Sequence, residues 1–222
     1  MISVAIDGPS GAGKSTLSRK VAKELGYIYV DTGALYRAVG LKFSLSGANT
    51  DLLCDIDEIL NTTIVDIKFV DGEQRVFLDG RDVSDEIRTP TASMMASAVS
   101  AKPQVRAFLL ELQRKLAENN NCIMDGRDIG TVVLPNATVK IYLTATAEDR
   151  AKRRYDELIL RGQDVTFEDV YKDMVQRDYN DSHREIAPLK QADDAIVADT
   201  TGFEFEQSFN LLLEIIKKGI GE

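Results

Sequence analysis

The sequence predicts an α/β protein with a parallel central sheet, helices on both faces and a small antiparallel β insertion. Two observations carry that expectation. Short apolar runs at residues 2–6, 27–30, 122–124, 140–143 and 195–197 alternate with stretches of helical spacing, the pattern of a buried parallel sheet covered by helices. Residues 64–83 break this rhythm. Their segments IVDIKFV and RVFLDGRDV alternate apolar and polar residues around Asp71-Gly72 and Asp79-Gly80, which reads as an antiparallel meander. A length of 222 residues suits one domain carrying an insertion.

Taken in order, the first strand (2–6) ends at Asp7-Gly8-Pro9. Leu17, Val21 and Leu25 then place a helix over 15–25. A second strand (27–30) is closed by Asp31-Thr32-Gly33, and a helix follows over 34–45. After the meander, helices are expected near 104–117, 147–160, 167–178 and 205–217, and the polar residues 118–121 read as a loop.

Composition excludes several classes. The chain has 27 Lys+Arg against 36 Asp+Glu, a formal net charge of -9. Polymeric nucleic acid and anionic membrane surfaces call for a basic surplus, so neither is expected as a partner. No run approaches the roughly 18 apolar residues of a membrane span, and residues 1–10 show no basic, then apolar, leader pattern. Cys54 and Cys122 are far apart, without a C-x-x-C spacing, and read as reduced thiols. These features together predict a cytoplasmic protein, and no exposed heptad asks for a partner, so a monomer is expected. The single histidine, His183, reads as solvated rather than catalytic.

Gly8-Pro9-Ser10-Gly11-Ala12-Gly13-Lys14-Ser15, followed by Thr16, matches G-x-x-x-x-G-K-[ST]. Glycines permit the positive φ angles that turn backbone N–H groups inward, where they and the next helix N-terminus cradle a polyphosphate. Lys14 adds a compact charge at the β/γ phosphates, and Ser15 offers a hydroxyl to Mg²⁺. The motif lies between a strand and a helix, as the chemistry requires. No N-K-x-D segment is present to read guanine. Short length and abundant arginines favour a small kinase.

Other constellations leave alternatives open. In DTGALYR (31–37), Thr32 and Arg37 suit a second phosphate; equally, Thr32 suits a helix N-cap with Arg37 solvated. In MDGRD (124–128), Asp125 stands where a P-loop fold keeps a carboxylate for Mg²⁺, here through water, and Arg127 suits a phosphate; a solvated acidic turn is the other reading. Arg150 and Arg154 share a helix face and suit a polyphosphate, or pair locally with Glu148 and Asp149. Arg177, Asp181 and Arg184 fall on one side if their helix persists, or form solvated ion pairs at its end.

The segments IDGPSGAGKST, DTGALYR, GRDVSDEIRTP, SAVSAKPQVR, DGRDIGTVVLPNA and QRDYNDSHREIAPL, in this order over nearly the whole chain, resemble the bacterial cytidylate kinases. Thr32 stands where that family often carries Ser, which keeps the hydroxyl. The resemblance implies an adenylate-kinase-like P-loop fold in three layers. Residues 1–31, 101–146 and 167–222 would form the core. Residues 32–100 would form the nucleoside-monophosphate (NMP) region, with its insertion at about 61–83, and 147–166 a mobile lid. It implies ATP on residues 8–16. Thr32, Arg37 and Arg127 would hold the phosphate of CMP, with Tyr36 nearby. Ser97, Arg106, Asp128 and Arg184 would surround cytosine, and Arg177 and Asp181 would reach a ribose, so that dCMP is admitted too. Arg150, Arg153, Arg154 and Arg161 would close on ATP. A phosphate acceptor is already largely a dianion at neutral pH, so no catalytic base is expected. The runners-up are a P-loop kinase for UMP, AMP, shikimate or dephospho-coenzyme A, and a nucleotide-binding regulatory module.

Overall fold

The computed structural model describes residues 1–70 and 72–222; Asp71, half of the first turn expected in the insertion, lies outside them. In chain order the elements are β1 (Ser3–Asp7), α1 (Lys14–Leu25), β2 (Ile28–Asp31), α2 (Thr32–Leu45), α3 (Ile56–Asn61), β3 (Val65–Val70), β4 (Glu73–Leu78), β5 (Arg81–Asp82), α4 (Pro90–Ser100) and α5 (Pro103–Asn119). There follow β6 (Cys122–Gly126), a π-helical turn (Ile129–Val133), β7 (Val139–Thr144), α6 (Ala147–Leu160), α7 (Phe167–His183), β8 (Ile196–Asp199) and α8 (Phe205–Ile220).

The central sheet runs β2-β6-β1-β7-β8, and every pair is parallel. Alternation along β1 sends Val4 and Ile6 to one face, against Leu17 and Val21 of α1 and Leu212 and Ile216 of α8. Ala5 faces the opposite layer with Val30, Met124 and Ile129. The chain leaves central β1 for β2 on one side and later fills β7 and β8 on the other. The carboxyl end of β1 is therefore the switch point, where a ligand crevice opens in such sheets.

The insertion is the expected meander, a separate antiparallel sheet β3-β4-β5. Its apolar side (Val76, Leu78, Val83) packs with Leu35, Val39 and Phe43 of α2 and Met95 and Val99 of α4. Sequence periodicity did not yield α3 or α4. Both have legible starts: Asp55 accepts from Glu58 N–H to cap α3, and Thr89 caps α4, whose first residue is Pro90. Short length hides α3, and small residues (PTASMMASAVS) blur the apolar stripe of α4. Helix α7 runs beyond its expected end at residue 178, to His183. α2 begins at Thr32, and its N-cap is Asp31 rather than Thr32. Cys122 is buried, Cys54 is partly buried, and both thiols are free.

Candidate active site

The loop after β1 is shaped by close approach. Gly8 has φ of +155°, and a Cβ there would lie 2.0 Å from the Leu143 carbonyl oxygen, so no larger residue fits. Gly13, with φ of +83°, precedes α1, whose N-terminus no side chain caps. Its first N–H groups are free for an anion. Lys14 is buried, and its ammonium donates to the carbonyls of Gly8 (2.8 Å) and Pro9 (2.7 Å). Burial first, then Arg127, brings its pKa down to about 7. An arriving phosphate favours the charged form and reverses this shift.

Two side chains that the sequence reading left out position this loop and its surroundings. Asp178 Oδ1 accepts from Ser10 N–H (3.0 Å), while Arg150 donates to Ser10 O (2.7 Å), to Asp178 Oδ2 (2.6 Å) and to Ala145 O (2.9 Å). Asp7, buried at the end of β1, accepts from the N–H groups of Ile129 (2.8 Å) and Gly130 (2.7 Å) and so holds the turn after Asp128. Its burial, only partly offset by those donors, raises its pKa to about 6. An acid closing a buried strand just before the loop was the available signal for Asp7. Nothing in the spacing of α7 marks Asp178.

Ser15 Oγ donates to Asp125 Oδ2 at 2.9 Å, and the Tyr29 hydroxyl donates to Oδ1 at 2.9 Å. The solvated-turn alternative for Asp125 is thus corrected: it is buried at the end of β6. Among the described residues no group of three or more His, Cys, Asp or Glu is placed to hold a metal. A hydroxyl and one carboxylate are hard oxygen donors that fit Mg²⁺ arriving with a polyphosphate, which keeps most of its waters. Burial, then Asp31, raises the Asp125 pKa to about 6 from 3.8. A raised carboxyl pKa contributes stability below pH 3.8 that is lost as pH rises through about 6. Asp125→Asn is therefore expected to melt higher than the parent at pH 7.5, with the gap narrowing toward pH 4. Melting curves across pH check this, and a pH-independent difference would contradict it.

Around the loop opens a cleft of about 760 Å³. Eight basic side chains line it (Lys14, Arg37, Arg106, Arg127, Arg153, Arg154, Arg177, Arg184) against six acids (Asp31, Asp125, Asp128, Glu157, Asp181, Glu204). Ser10–Thr16, Thr32, Tyr36 and Ser97 also line it; Gly8 and Pro9 do not. The Thr32 hydroxyl donates to Asp125 O (2.8 Å). Asp31 caps α2 through Ala34 N–H (2.9 Å) and pairs with Arg37 (2.9 Å), so Arg37 is not a solvated helix arginine. Arg127 pairs with Asp181 at 2.6 Å. Asp128 lies buried between Arg106 and Arg184, accepting from both, and Arg106 stands 5.7 Å from the Tyr36 ring centre. Arg177 is depressed by burial, then by Arg127 beside it.

The basic residues of α6 divide. Arg154 lines the cleft and pairs with Glu157 (2.8 Å); Arg153 lines it and donates to Thr200 O (2.6 Å). Arg150 does not descend beside Arg154, because it is buried behind the loop in the Ser10–Asp178 network. Arg161 is exposed, paired with Glu157 (2.6 Å) and away from the cleft wall. Arg177, Asp181 and Arg184 all reach the cleft, although Arg184 is the cap beyond α7 and not part of it. His183 is exposed and stacks on Tyr179.

A parallel sheet with a phosphate loop after its central strand, and a second arginine-rich site facing that loop, defines a P-loop kinase acting on a small acceptor. The chain belongs to the cytidylate kinase family: the family described as Cytidylate kinase matches residues 4–218. A protein named cytidylate kinase from Caldicellulosiruptor bescii is 53% identical over 98% of this chain and 96% of its own. One of the same name from Ligilactobacillus salivarius is 48% identical over 98% and 97%. A crystal structure of an uncharacterized protein from Eubacterium ventriosum shares the fold alone, with a TM-score of 0.54 at 13% identity over 98% of this chain and 99% of that one. The enzyme is a nucleotide-binding transferase, and its family implies use of ATP. No helix among the described residues is long and apolar enough to cross a membrane.

Proposed function

We propose that the enzyme transfers the γ-phosphoryl group of ATP to the phosphate of CMP, and also of dCMP. Relatives at about half identity bear the name cytidylate kinase. The observation that carries the substrate reading is the Arg106–Asp128–Arg184 group on the cleft wall, in which Arg106 and Asp128 are buried. A carboxylate accepts from the exocyclic amine of cytosine, while guanidinium groups donate to N3 or O2. Uracil would set a carbonyl against that carboxylate and leave it unpaired.

In this reading Lys14 and the free N–H groups of α1 hold the ATP phosphates. Thr32, Arg37 and Arg127 hold the acceptor phosphate, and Arg177 and Asp181 meet the ribose. Ser15, and Asp125 through water, would hold Mg²⁺, which would supply neutralisation of the phosphate charge. The acceptor needs no base, so alignment and charge neutralisation make up the protein's contribution. Residues 147–166 serve as the lid, with Arg153, Arg154 and, after closure, Arg161 excluding water from the transferring phosphoryl group. Arg150 supports the loop from behind. A cytoplasmic monomer is part of this reading, and the acidic surplus of the chain speaks against polymeric nucleic acid as a partner.

ADP release measured across CMP, dCMP, UMP, AMP, shikimate and dephospho-coenzyme A tests the proposal. The highest kcat/KM is expected on CMP, with dCMP next. A faster non-cytidine acceptor would overturn the substrate reading, and ADP release indifferent to every acceptor would point to a regulatory module instead.

A further inference from the structure

β2 is an edge strand of the parallel sheet, and at its last residue the insertion completes that edge. The Asp31 N–H donates to Gln74 Oε1 at 2.8 Å, and Asp31 O accepts from Gln74 Nε2 at 3.3 Å. A side-chain amide offers the same donor and acceptor as a backbone peptide, so Gln74 acts as one extra peptide unit beside β2. Its own strand, β4, is fixed within the insertion. Val76 N–H donates to Ser84 Oγ at 2.8 Å, and Arg75 pairs with Asp82 at 2.8 Å and Asp85 at 3.2 Å.

Asp31 is also the residue on which Arg37 rests. One carboxylate oxygen caps α2 and the other accepts from Arg37 Nη2 at 2.9 Å. Arg37 Nε is buried with no partner among the described residues, so this ion pair is what sets the guanidinium plane on the cleft wall. A shift of the Asp31 backbone moves the carboxylate and the guanidinium together.

We infer that Gln74 is a positioning residue for the acceptor-phosphate site: the β insertion, through this amide, fixes Asp31 and thereby aims Arg37. The inference rests on the reading above that Arg37 holds the acceptor phosphate. It gives the insertion a part in the reaction beyond packing on α2, and it assigns that part to one side chain.

Steady-state kinetics on the full chain tests it, with CMP varied at saturating ATP and then ATP varied at saturating CMP. Gln74→Met keeps the length of the side chain and removes both hydrogen bonds; Gln74→Ala is run beside it so that the outcome does not depend on how Met packs. The KM for CMP is expected to rise about three- to tenfold, as for loss of a net hydrogen bond. The KM for ATP and kcat stay near parent values. Arg37→Ala raises the KM for CMP by itself, and adding Gln74→Met to it changes little more, because both act through one group. If Arg37→Ala raises that KM and neither Gln74 variant does, the positioning role is overturned and the phosphate reading stands. Equal rises in both KM values, or full additivity in the double variant, overturn it as well. A KM for CMP untouched by Arg37→Ala overturns the phosphate reading and the inference with it.

Discussion

Lys14→Ala is expected to lower kcat by about a thousandfold or more while the protein still folds, since one preorganised charge at a developing phosphoryl transition state contributes on that scale. The ammonium sits inside the loop on the Gly8 and Pro9 carbonyls, already confined and poor in water. Its folded pKa of about 7 against 10.5 means that the folded state resists the proton. A depressed lysine pKa contributes stability above pH 10.5 that is lost as pH falls through about 7. Relative to the parent, Lys14→Ala should therefore melt better at pH 7 than at pH 10, so lost activity cannot be assigned to lost fold. Single-turnover rates and melting curves at the two pH values decide the matter. Turnover within tenfold of the parent would remove Lys14 from the transition state.

Asp128 carries the second large effect, divided between stability and choice of base. Asp128→Ala leaves buried Arg106 and half-buried Arg184 without their shared carboxylate. Breaking a buried ion pair from one side costs about 3–5 kcal/mol, which in a chain of this size is a fall of about 10 °C in Tm. Asp128→Asn keeps the shape and an acceptor oxygen, and should melt closer to the parent. Both variants are expected to reduce the ratio of kcat/KM for CMP over UMP by about tenfold or more, the scale of a lost base contact. Asn should show the clearer change, because its amide can donate to the uracil carbonyl. A ratio unchanged in Asp128→Asn would take Asp128 out of base reading, whatever the melting temperature does.

The phosphate loop, the alternating sheet and the inserted meander were legible because each depends on local residue types at short spacing. The partners of the site were less so. Thr32 and Asp31 are both good N-cap residues side by side; what decides between them is that the Thr32 hydroxyl is taken by a carbonyl 93 residues away. Helical spacing correctly puts Arg150 and Arg154 on one face of α6, yet one is buried against Ser10 and the other faces the cleft. A stripe has length, and only the packing of α7 shows where along it solvent begins. Asp7 and Asp178 went unread for the same reason: each works on backbone N–H groups from a distant part of the chain.

Several arginines around the cleft have a carboxylate within reach: Arg37 has Asp31, Arg127 has Asp181 and Arg154 has Glu157. The cavity is therefore a loaded ion exchanger rather than an open anion trap. An incoming anion must displace a tethered acid that is present at high effective concentration, so its affinity is the difference between two pairings. Chloride or a lone carboxylate gains little from that exchange. A phosphate dianion, with more charge and three acceptor oxygens, gains on both counts. Rejection of simple anions is thus built into these pairings, and it reconciles a net charge of -9 with the proposal that the cleft holds two phosphorylated ligands.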